Sequence, residues 1–104
     1  MNPAHTLHPA VPRRRAAALR YEPGRDRAPR VIASGQGHMA DRILALAHEH
    51  GVPVQQDPAL AAALTQLELD REIPPQLFAA VAEVIGFLYR LQAAELGSSK
   101  ATVS

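Results

Sequence analysis

The candidate chemistry in this chain rests on its histidines, arginines and acidic residues, and it contains no cysteine. Disulfides and thiolate metal sites are thereby excluded. His5 and His8 stand near the start, and His38, His48 and His50 surround one amphipathic stretch. His48 and His50 are two apart, so on a helix they face different ways and do not form the same-face pair, spaced by four, that zinc helices use. Close to a helix end they are accounted for as partners of the last carbonyls, and no metal site is expected. Glu68, Asp70 and Glu72 cluster beside a turn, but nothing buries them or sets their proton affinities apart, so a solvated loop is expected there. Gly35-Gln36-Gly37 lies between a strand pattern and a helix pattern, a place that can attract an anion. Ala40 stands where a dinucleotide fingerprint has its third glycine, and no Gly-Lys-Ser/Thr follows, so the glycines read as a tight turn. Arg13, Arg14, Arg15 and Arg20 are the one basic cluster. With a formal net charge of +1 and no interleaved aromatics they read as a solvated arm, and no nucleic-acid partner is expected. No Ser/His/Asp order is recognisable. The chain is expected to be neither an enzyme nor a cofactor protein.

The elements around these residues describe one small domain, as 104 residues allow. Met1 to Arg15 holds three prolines and no apolar periodicity, which predicts a flexible basic arm. The domain is expected over residues 16–94. Ala17, Leu19 and Tyr21 alternate with Ala16, Ala18 and Arg20 as a first strand, and Glu22-Pro23-Gly24 makes a turn. Arg25 to Ala28 reads as polar and solvent-facing, and Pro29 to Ser34 as a second strand pairing with the first. Met39, Ile43, Leu46, Ala47 and His50 recur at helical spacing up to a capping Gly51. Val52 to Gln56 is a short third strand, reached from the second by a right-handed crossover. Asp57 caps a second helix with Pro58 at its first position, and Leu60, Ala61, Leu64 and Leu67 share its face. A third helix carries Leu77, Val81, Val84, Ile85 and Leu88. Its apolar run is shorter than the roughly 20 residues a membrane span needs, and no secretory signal opens the chain. Residues 95–104 are polar and small, which predicts a disordered tail. The fold class expected is α/β, a small mixed sheet of three to four strands packed with three helices.

Ala18-Leu19-Arg20-Tyr21, Ala28-Pro29-Arg30-Val31-Ile32-Ala33, His50-Gly51-Val52-Pro53-Val54, Asp57-Pro58-Ala59-Leu60-Ala61, Ile73-Pro74 and Ala80-Val81-Ala82-Glu83-Val84-Ile85 stand together in one register. This block resembles the C-terminal cytoplasmic domain of the type III secretion export apparatus switch proteins, the FlhB/YscU family. The resemblance implies a domain at the cytoplasmic mouth of an export gate, here without the family's membrane helices. Members cleave themselves at Asn-Pro-Thr-His just before the first strand. In that register the site falls on Val11, Pro12, Arg13 and Arg14, and Val11 has no side-chain nucleophile, so autocleavage there is not expected. A tetrapeptide of similar form, Asn2-Pro3-Ala4-His5, lies nine residues further upstream, and a self-cleaving switch using it is the alternative, as is an inert remnant. The resemblance further implies that partners dock in an apolar pocket lined by Ala28, Pro29, Ala82 and Ile85, although the composition of such a pocket is equally that of a packed core. The expected protein is a cytoplasmic, monomeric module. It binds export-gate proteins or export substrates, stands in for the cytoplasmic domain of a full-length switch protein, and associates peripherally with the membrane-embedded apparatus.

Overall fold

A computed structural model describes residues 14–22, 24–91 and 99–104, with the backbone alone for 87–91 and 99. Strand β1 (Arg15–Tyr21) and strand β2 (Arg30–Gln36) form an antiparallel pair. Helix α1 (His38–Glu49), strand β3 (Val54–Gln55), helix α2 (Pro58–Leu64), a 3-10 turn at Pro75–Leu77, helix α3 (Phe78–Leu91) and strand β4 (Ser99–Val103) follow. The sheet runs β2-β1-β4-β3, with β4 antiparallel to β1 and parallel to β3. Among the described residues the expected architecture is therefore present: four strands in a mixed sheet with three helices.

The alternation read in β1 serves two layers. Ala17 and Leu19 pack with Val31, Leu60, Ala61, Leu64, Ile73, Val81, Val84, Ile85, Ala101 and Val103, the core under α2 and α3. Ala16 and Ala18 face the other way, onto Ala40 and Ile43 of α1. Burying each aliphatic side chain such as Leu19, Leu64 or Val81 contributes about 1.5–3 kcal/mol, and these three are fully buried. A bulge between Ala18 and Leu19 shifts the β1–β2 register, a local irregularity that alternation cannot announce.

Four expectations are corrected. Ser99–Val103, within the stretch read as a disordered tail, is a strand hydrogen-bonded to β1 on one side and β3 on the other, so the domain extends past residue 94. Its signal is weak because Ser, Lys and Ala are poor strand formers, and burial by two neighbours decides its state. At the other end β1 starts at Arg15, the last residue assigned to the arm; residues 1–13 lie outside those described. The buried stripe of α1 is Ala40, Ile43 and Ala47, with Met39 and Leu46 exposed. Alanines on the helix meet alanines on β1, and the close approach of small side chains outweighs the pull of the larger ones. Finally, Arg25 to Ala28 is not a solvated loop throughout, since Asp26 and Ala28 are buried.

Local rules set the remaining boundaries. Asp57 caps α2 by accepting from the Leu60 N–H at 3.1 Å, with Pro58 at the first position. Arg25 N–H donates to the Glu22 carbonyl at 3.0 Å and closes the turn after β1. Leu77 falls in the 3-10 turn, one residue before α3. Residues 70–73 run beside the outer edge of β2, where Asp70 N–H donates to the Val31 carbonyl and Ile73 N–H to the Pro29 carbonyl. Part of that edge is thereby closed to other chains.

Candidate functional site

Between the β1–β2 loop and α3 the sequence leaves a hole. Ala28 and Pro29 form one wall, Ala82 and Ile85 the other, and Tyr21, Ile73 and Phe78 complete a cavity of about 460 Å³. That volume lies within the range of about 300–1,000 Å³ typical of ligand pockets. The four residues singled out in the sequence thus meet at one place. Whether they belong to pocket or core has a divided answer: Ile85 and Ala28 are buried, and Ile85 is also part of the core under α3, whereas Ala82 is exposed. Phe78 is 46% exposed and stands at the pocket's edge. Small residues make the cavity, because Ala28, Ala82 and Gly86 project too little to fill it.

The loop carrying Ala28 and Pro29 is held by charges that composition did not reveal. Asp26 accepts from Glu22 N–H at 3.0 Å and from Arg30 Nε at 3.4 Å, and Arg20 Nε lies 3.8 Å away. Its removal from solvent opposes ionisation. The Glu22 N–H and the guanidinium groups of Arg30 and Arg20 outweigh that, so the Asp26 carboxyl is held below the usual carboxylate range. Arg30 Nη1 also donates to the Asp70 carbonyl at 2.6 Å, and its Nη2 lies 3.7 Å from Glu72 Oε2. Asp26 and Arg30 therefore tie the pocket's loop to β1 and to residues 70–72.

Elsewhere the candidate chemistry disperses. Glu72 faces Arg27 and Arg30, while Glu68 pairs with Arg71 at 2.6 Å, so the acidic cluster is split among arginines. Arg14, 2.8 Å from Asp41, and Arg20, beside Asp26, sit at opposite ends of β1 and make no common patch. His38, His48 and His50 are exposed, and among the described residues no group of three His, Asp or Glu side chains is placed to hold a metal ion. Gly37 has φ 58°, and a side chain on Gly35 would bring its Cβ to 2.5 Å from that of Met39. Both glycines are explained by the turn into α1, without a phosphate. Of the degenerate cleavage position, Val11, Pro12 and Arg13 lie outside the described residues, as do Asn2, Pro3 and His5; Arg14 leads into β1 and its carbonyl accepts from Gly37 N–H at 2.8 Å. Among the described residues no helix is long and apolar enough to cross a membrane.

Comparison with known proteins bears on this geometry. The chain is similar to the uncharacterized protein YlqH of Bacillus subtilis, 46% identical over 81 residues that make up 78% of this chain and 87% of that one. It is 42% identical over 78 residues to the flagellar biosynthetic protein FlhB of Salmonella typhimurium, covering 74% of this chain and 20% of FlhB. It therefore spans about a fifth of the FlhB length. The crystal structure of the PscU C-terminal domain superposes with a TM-score of 0.68 at 36% identity, over 71% of this chain and 95% of that one. The family profile described as FlhB HrpN YscU SpaS matches residues 10–88, a stretch that runs from before β1 into α3 and contains all four pocket residues. By that match, and by these relatives, the chain belongs to the FlhB HrpN YscU SpaS family.

Proposed function

We propose that this protein is a non-enzymatic docking module of type III protein export. It binds export-gate proteins or export substrates through the pocket of Ala28, Pro29, Ala82 and Ile85, and stands in for the corresponding domain of a full-length switch protein. It works as a monomer in the cytoplasm, at the face of the membrane-embedded apparatus, and takes proteins rather than nucleic acid. The observation that carries this reading is the convergence of two separate segments, 28–29 and 82–85, on one open apolar cavity. An apolar concavity bordered by a few polar groups suits an extended segment that inserts one or two apolar side chains.

Ala82 offers the test, since it lines the cavity without being buried. Ala82→Glu should leave the unfolding transition within about 0.5 kcal/mol of the parent, as surface substitutions do, and should abolish retention of purified gate proteins or substrates on the immobilised chain. Retention of neither by the parent chain, or equal retention by the variant, would overturn the reading.

A further inference from the structure

We infer that the pocket's occupant is an apolar side chain with a carboxylate close by in the same peptide, and that Arg27 is the residue that reads that carboxylate. The inference rests on the docking reading above and adds the charge of the ligand to it.

Among the described residues lining the cavity, Arg27 is the one that carries a charge. The loop around it carries, among the described residues, an unbalanced cation. Asp26 lies between Arg20 and Arg30, at 3.8 and 3.4 Å, and Glu72 lies between Arg30 and Arg27, at 3.7 Å from each. Three guanidinium groups therefore share two carboxylates. The other pair nearby, Arg25 with Glu22 at 3.4 Å, is balanced. The side chains of Arg20 and Arg30 are 33% and 28% exposed, whereas that of Arg27 is 91% exposed and lies beyond hydrogen-bond distance of Glu72. The surplus charge thus resides on the arginine at the rim, with donors open to an incoming oxygen. A guanidinium accepts a carboxylate in a two-pronged geometry that a lysine would not match. Apolar walls fix the anchor, and the rim cation selects what stands beside it. Because the arginine is solvated, its effect is modest and sensitive to salt.

The experiment uses the full chain labelled with 15N and three synthetic peptides of Gly and Ser. Each carries one Phe, followed two positions later by Asp, Asn or Lys. Amide shifts of Ala28, Ala82 and Gly86 report occupation of the pocket. At low salt the Asp peptide should bind about three- to fivefold more tightly than the Asn peptide, and the Lys peptide less tightly than either. Arg27→Gln should remove the ranking, and Arg27→Glu should reverse it, while each variant keeps its dependence on Phe. Equal affinity of the parent chain for all three peptides, or an unchanged ranking in Arg27→Glu, overturns the role of Arg27 and leaves the docking reading standing. If no peptide moves the pocket amides, the docking reading fails and this inference falls with it.

Discussion

Ala82 and Ile85 are three positions apart on α3 and answer to different constraints, because Ile85 is shared between the core and the pocket while Ala82 belongs to the pocket alone. Both were legible through the resemblance to a family, as were Ala28 and Pro29. What composition and spacing could not supply was the support around them. Asp26 read as one polar residue in a polar stretch, and only the fold brings Arg20 and Arg30 to it. Its lowered proton affinity makes a pH prediction with a definite sign. A carboxyl whose folded value lies below its ordinary value of 3.8 contributes stability that is fully present above 3.8 and is lost as pH falls through the folded value. Urea midpoints of the parent and of Asp26→Asn should therefore differ at pH 6, with the variant lower, and converge as pH falls below 3.8. A gap independent of pH would show that the carboxylate charge does not hold this loop.

Among elements, those with strong local signals stood close to where the sequence placed them: β1, one residue longer, with its turn, α1 up to Gly51, and α2 behind its Asp57-Pro58 cap, although it ends at Leu64, short of Leu67. Finer details followed from contacts between elements. The burial of Ala40 and Ile43 in α1 depends on Ala16 and Ala18 across from them, so hydrophobicity alone favoured Met39 and Leu46. The turn leading into α1 carries a similar lesson in tight packing. Gly35→Ala should destabilise the protein by about 1–3 kcal/mol, in the range for overpacking, since the added Cβ meets the Met39 Cβ. Shortening the neighbour as Met39→Ala should not relieve the cost, because its Cβ stays, and thermal unfolding of the two single variants and the double variant measures this. Full recovery in the double variant would place the strain elsewhere.

For the molecule as a whole, the sheet depends on β4, which joins β1 to β3 and lies outside residues 10–88 matched by the family profile. Val103 is fully buried in the main core, opposite Ala17 of β1 and beside Gln55 of β3. Val103→Asp would put a charge there without a partner, and charges are not buried in that way. It should abolish cooperative unfolding and the dispersed amide spectrum. Val54→Asp, at an exposed position of the short edge strand, should change stability by less than about 0.5 kcal/mol. Similar spectra for the two variants would mean that β4 is dispensable. There is also a consequence for synthesis on the ribosome. At about 5–20 residues per second, the roughly 80 residues from Tyr21 to Val103 take several seconds to emerge. Throughout that interval β1 has one unsatisfied edge, which is a template for pairing with any extended chain nearby. The nascent protein therefore passes through a sticky stage that ends only when its own β4 arrives.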